Sequence, residues 1–98
     1  MCADQHQKNA ELIDQTNTIG IEFLRTDIEA ALTFIQVAET SSSPENRVRN
    51  YGNALEGYRT VLHFLPRVLP SPDELADMQA KLEQIKTKLQ QAGFPAGD

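Results

Sequence analysis

The sequence has no tryptophan, one cysteine, and only two tyrosines and four phenylalanines among 98 residues. The lone Cys2 excludes an intramolecular disulfide. Only Met1 precedes it and residues 3–9 are polar, so neither a lipidated cysteine nor a signal-peptide core is expected. A terminal thiol and a cytoplasmic location are the expectations that follow. Basic charge is scarce too. Nine Lys and Arg stand against fourteen Asp and Glu, a net charge of −5. Phosphate recognition needs clustered cations, so nucleic acid is not an expected partner. No stretch approaches the ~18 apolar residues of a membrane span, so no membrane partner is expected.

Chemistry-bearing motifs are also missing. His6 and His63 lie far apart, and no CxxC or HExxH spacing is present, so no metal site is expected. Acidic residues are scattered rather than gathered in a calcium loop. The chain has no glycine-rich phosphate loop and no Gly-x-Ser-x-Gly elbow. No catalytic residue and no cofactor are therefore assigned, and the chain is expected not to be an enzyme.

What is present is helical periodicity. Ser41-Ser42-Ser43-Pro44-Glu45, then the stretch from Pro66 to Pro72, then Gly93-Phe94-Pro95 divide the chain. Ser71-Pro72-Asp73-Glu74 reads as an N-cap, a first-turn proline and a capping-box acid. Leu75, Met78, Leu82, Ile85, Leu89 and Ala92 follow at steps of three and four, within an arc of roughly 100°. Asp77 and Lys81 form an acidic-to-basic pair four apart. Gly93 sits where a left-handed C-cap belongs, with Phe94 able to fold back.

Upstream, Ser43 caps a helix with Pro44 in its first turn. Val48, Tyr51, Ala54, Leu55, Tyr58, Val61, Leu62 and Leu65 form a stripe about 140° wide, and Pro66 ends it. Gly52 and Gly57 cost this helix ~1 kcal/mol each relative to alanine, and either can admit a close backbone approach. The segment from Gly20 to Thr40 carries two apolar stripes. Ile21, Leu24, Ile28, Ala31, Leu32, Ile35 and Ala38 make one; Phe23, Ala30, Phe34 and Val37 make the other. A helix so widely apolar must meet more than one neighbour. Either it is the central helix of the bundle, or the Phe23/Phe34 side meets a second chain.

The expected fold is all-α: an antiparallel three-helix bundle with helices near 20–40, 44–65 and 72–92. The expected core comprises Leu24, Ile28, Leu32, Ile35, Tyr51, Leu55, Tyr58, Leu62, Leu65, Leu75, Met78, Leu82, Ile85 and Leu89. Residues 20–98 form the domain, preceded by a polar segment 1–19 that is partly helical or loose. Leu12, Thr16 and Ile19 continue the Phe23–Phe34 line if the helix runs unbroken from about Asn9. Periodicity does not decide between one long helix over 9–40 and two helices with a turn near Asn17–Gly20. An unbroken helix would outrun the middle one, leaving an overhang that either needs another chain or frays.

Residues 50–66 resemble the second helix of a tetratricopeptide repeat. Ala54 and Tyr58 occupy the small and aromatic positions, and Pro66 follows the helix. Tyr51-x-x-Ala54-Leu55-x-x-Tyr58 is also similar to the middle helix of the microtubule-interacting and transport domain, a three-helix relative of comparable length. The resemblance covers residues 20–92 and implies a helical hairpin with a third helix. It further implies a peptide or helix bound in a groove between helices. The whole chain also resembles small helical proteins of bacteria, from which no activity carries over.

These readings converge on a protein–protein interaction or structural module, a homodimer through the Phe23/Phe34 side being one form of it. A tetratricopeptide-like peptide-binding groove is the alternative, and a small enzyme or ligand sensor the remotest. Partner-contact candidates are Phe23, Phe34 and Val37 on the first helix, together with Arg59, His63 and Arg67. The last three step by four beside the middle stripe, either as a solvated basic edge or as a dock for an acidic peptide.

Overall fold

A computed structural model describes residues 2–96, with side chains from residue 14 onward. Three helices follow one another: α1 (Cys2–Thr40), α2 (Pro44–Phe64) and α3 (Pro72–Gln91). Among the described residues there is no strand. The all-α three-helix bundle read from the sequence is the observed fold.

Each helix presents a heptad-like seam to the core. On α1 it is Ile21, Leu24, Ile28, Ala31, Ile35 and Ala38, all buried. On α3 Met78, Leu82, Ile85 and Leu89 are buried, with Leu75 half-covered. On α2 Ala54, Tyr58 and Val61 are buried and Leu55 nearly so. Alternating steps of three and four keep one side of a helix facing its neighbours over several turns. Small residues meet where α1 and α2 pack. Gly57 of α2 lies against Ala31 and the Asp27 carbonyl of α1, where an added Cβ would meet both at 3.7 Å. Burial among these side chains, with the Glu83 carboxylate nearby, pushes the Tyr58 phenol above its ordinary pKa.

Local signals terminate the helices as expected. The Ser43 hydroxyl accepts from the Asn46 N–H, and Pro44 occupies the first turn of α2. Pro66 has no N–H to offer, and the chain tightens into a 3₁₀ turn over Leu65–Arg67. Ser71 and Glu74 form a reciprocal capping box at the start of α3. Gly93, at φ 87°, closes α3: its N–H reaches the Gln90 carbonyl and the Phe94 N–H reaches that of Leu89. The returning tail places Phe94 5.5 Å from the Tyr51 ring and buries Ala96.

Ion pairs join α1 to α3. Arg25 faces Glu74 and Asp77, Lys81 bridges Glu29 and Asp77, and Lys88 meets Glu39. Partners advance together in residue number, so α1 and α3 run parallel while α2 returns between them. The Glu29 carboxylate accepting from Lys81 raises the lysine's pKa. These pairs are exposed and screened by solvent, so their use is to fix register rather than to add stability.

One core expectation is corrected, and with it one end of the α2 stripe. Leu62 is 43% exposed, although its angular position is close to that of Leu55. It lies two turns nearer the end of α2, beyond the cover that shields Leu55. Val48, read as part of the same stripe, is also exposed, near the other end of the helix.

The choice between one helix and two over residues 9–40 resolves as one. α1 has 39 residues and spans ~58 Å at 1.5 Å per residue, nearly twice α2. The molecule measures 63 × 20 × 20 Å accordingly. The helix passes through Gly20 unbroken, and its backbone is helical over residues 2–8, where a loose segment was an expectation.

Candidate functional site

The connector between α2 and α3 docks on α1 through two contacts that lie 48 or more residues apart in sequence. Asn17 acts as a strand-like clamp: its Nδ2 donates to the Leu69 carbonyl at 3.0 Å, and its Oδ1 accepts from the Leu69 N–H at 2.6 Å. One turn on, Gly20 leaves a notch for Val68. A Cβ at Gly20 would stand 2.9 Å from Val68 Cγ1, closer than real Cβ contacts allow. Gly20 therefore weakens the helix locally but lets the connector seat against it.

Beside this junction lies an apolar groove of about 420 Å³. Thr16, Ile19, Gly20, Phe23 and Leu24 form its α1 side; Phe64, Arg67 and Val68 form the other. Ile19 is 66% exposed, Phe23 56% and Phe64 40%. A second shallow groove of about 480 Å³ follows α2 through Leu55, Arg59, His63 and Phe64. Phe64 thus forms a ridge shared by both. His63 meets its ring edge-on at 4.8 Å, and the Arg67 guanidinium sits 5.3 Å from the ring centroid.

The six sequence candidates separate. Phe23 lies in the apolar groove. Phe34 is half-buried and packs on the bundle's own core. It stands eleven residues, ~16 Å, along α1 from Phe23, so the two do not form one patch. Val37 is exposed further along α1, outside the groove. Arg59, His63 and Arg67 do follow one edge, and His63 and Arg67 converge on Phe64. Arg59 instead reaches the tail, donating to the Pro95 carbonyl at 3.4 Å. His63 and Arg67 also lie where a cation complements the negative end of α2. Among the described residues, neither Arg59 nor Arg67 belongs to an ion pair.

Phe64, Val68 and the Asn17 clamp were not legible from periodicity. Phe64 lies off the α2 stripe, and a lone large aromatic off-stripe beside a helix end is the signal that could have marked it.

Among the described residues no group of His, Cys, Asp and Glu is arranged to hold a metal ion. No helix among them is long and apolar enough to cross a membrane. No family model, curated protein or solved structure matches the chain, so its function is argued from its own residues.

Proposed function

We infer that the protein is a non-catalytic interaction module that docks an amphipathic helix of a protein or peptide partner. The docking site is the groove between Phe23 and Phe64. The carrying observation is the uncovered apolar surface of Ile19, Phe23 and Phe64, with Arg67 and half-buried Val68 completing the lining. Apolar side chains lining a groove between helical elements suit an amphipathic helix, whose leucine-like anchors at i, i+4 and i+7 lie along one line. Aromatic rings supply most of the area such an anchor desolvates. The Arg67, His63 and Arg59 edge favours an acidic flank on that helix. A groove between helices is also what the tetratricopeptide-like resemblance implies.

Titration of the isotope-labelled protein with a synthetic amphipathic helix carrying leucine anchors and a glutamate flank tests this. Signals of Phe23, Phe64 and Val68 are expected to shift saturably, and Phe64→Ser is expected to abolish the shifts. Unmoved groove signals at ~1 mM peptide, the weakest affinity worth calling specific here, would overturn the reading.

A further inference from the structure

A line of exposed residues runs the length of the bundle on α1. Ile19, Phe23, Thr26, Ala30, Thr33 and Val37 follow one another at steps of four and three, and every one of them is exposed. The same steps reach Thr16 and Thr40, which are exposed too. Such spacing draws one seam along a helix, here over ~36 Å. The seam lies roughly 140° around α1 from the buried line of Ile21, Leu24, Ile28, Ala31 and Ile35. No charged residue stands on it, although Asp14, Glu22, Arg25, Glu29 and Glu39 are exposed elsewhere on the same helix. The Thr33 and Thr40 hydroxyls donate to the Glu29 and Gln36 carbonyls of their own helix, each at 3.0 Å. Covering these threonines therefore leaves no hydroxyl donor unpaired.

An exposed, uncharged seam with heptad spacing fits a second helix that brings the same spacing. This seam is complementary in size to its own reverse. Turned antiparallel about the level of Ile28, Ile19 meets Val37 of a second copy, Phe23 meets Thr33, and Thr26 meets Ala30. Two-fold symmetry repeats each pairing. The Phe23 ring then faces a small side chain, and the middle layers are small on both sides, so the helices can close. Parallel copies in register would set Phe23 against Phe23 and Ala30 against Ala30, crowding one layer and leaving another empty. We propose that two copies pair along this seam with their α1 helices antiparallel, in a closed isologous dimer. The pairing goes beyond the docking reading: it shares Ile19 and Phe23 with the groove and draws on the seam from Thr26 to Val37, outside it. The axis brings two Glu29 carboxylates together, each already held by Lys81 at 2.6 Å. On the α2 side it brings the two Asp27 residues together, a like-charge cost that the register carries.

Sedimentation equilibrium of the full-length chain tests pairing, and cysteine variants in a Cys2→Ser background test orientation. The expected mass is twice the 10.9 kDa of one chain. Ala30→Glu places a charge at the centre of the seam, on a residue exposed in the protomer. It is expected to weaken dimerisation at least ~100-fold, with an unchanged circular dichroism spectrum. Asp27→Asn is expected to tighten the dimer about 2-fold by relieving the like charges at the axis. The Ile19→Cys/Val37→Cys double variant is expected to oxidise to a covalent dimer. Ile19→Cys alone is expected not to, because antiparallel copies hold the two position-19 sites ~27 Å apart.

A monomer at ~100 µM would overturn the pairing, as would a dimer indifferent to Ala30→Glu. Ready crosslinking of Ile19→Cys alone would overturn the antiparallel orientation, and an Asp27→Asn dimer no tighter than the parent would overturn the axis at Ile28. Ala30 lies outside the groove, so monomeric Ala30→Glu is expected still to bind the synthetic acidic helix through Phe64. If the unaltered chain is monomeric yet binds that helix, the pairing fails while the docking reading stands. If it dimerises and the monomeric variant ignores the helix, the docking reading fails while the pairing stands.

Discussion

The two ends of the bundle are finished differently. At the α1–α2 turn the chain covers its own core: Phe94 returns onto Tyr51, Ala96 is buried, and the Gln90 side chain donates to the Ala96 carbonyl at 2.7 Å. At the connector end the backbone is anchored by Asn17 and Gly20, yet Ile19, Phe23, Phe64 and Leu69 remain exposed. One end spends its last residues on cover. The other has comparable apolar material and no segment of the described chain laid over it. Val37 and Val48 stay exposed at the first end too, so the contrast lies in the tail that covers Tyr51 there and has no counterpart over Phe23 and Phe64.

Truncating the closed end should cost most. Leu89 is fully buried, and its carbonyl receives the Phe94 N–H that turns the tail back. Leu89→Ala is expected to destabilise the bundle by about 3 kcal/mol through lost burial and a residual cavity. Urea denaturation would show it as a lower midpoint with an unchanged slope. Phe23→Ala at the open end should cost the isolated protomer well under ~1 kcal/mol, as expected of an exposed side chain. Equal losses would dissolve the distinction between the two ends.

The Asn17 clamp ranks next. Asn17→Ala removes both hydrogen bonds to Leu69 and is expected to cost about 1 kcal/mol, since both groups can turn to water. Its more specific signature is faster amide exchange at Leu69, with exchange in α3 unchanged. If exchange at Leu69 does not change, something other than Asn17 seats the connector.

Why the closed end was readable and the open end was not follows from what periodicity measures. Steps of three and four report the angle of a residue about its helix axis. They identified the α3 seam because that stripe is narrow and covered from Met78 to Leu89. They misplaced Leu62, which shares an angle with Leu55 but sits at a different height. Caps are local, so Ser43-Pro44, Ser71 to Glu74 and Gly93 were legible as written. The Asn17–Leu69 clamp joins residues 52 apart, and no local pattern encodes it. Of the candidate site, Phe23 and the basic edge were visible as residues. Their meeting at Phe64 depends on where the 3₁₀ turn carries Arg67, which only the folded chain defines.

Glycine substitutions separate local propensity from the junction. A Cβ at Gly52 would meet nothing within 4 Å, so Gly52→Ala is expected to stabilise α2 by roughly 0.5–1 kcal/mol. Gly20→Ala offers the same propensity gain but drives a methyl against Val68. The connector must yield, and the net change is expected near zero or unfavourable. Thermal unfolding of the two variants side by side checks the difference. A Gly20→Ala protein as stabilised as Gly52→Ala would show that the Val68 notch holds nothing in place.

The smallest expected effect lies in the pH dependence of the connector end. The Ser71 N–H donating to the Glu74 carboxylate, joined by a hydrogen bond from the Ser71 side chain and by the nearby Arg25, holds that carboxyl below its ordinary pKa. Its stabilising contribution is therefore complete above the ordinary carboxylate range and is lost as pH falls through the lowered value. Lys81 shifts the other way: its contribution is complete below the ordinary lysine range and is lost as pH rises through the raised value. Glu74→Gln should flatten the acid limb of the stability profile and leave the alkaline limb intact, because Lys81 bridges Glu29 and Asp77 rather than Glu74. An acid limb unchanged by Glu74→Gln would mean that the capping box orients the start of α3 without making its stability depend on protonation of that acid.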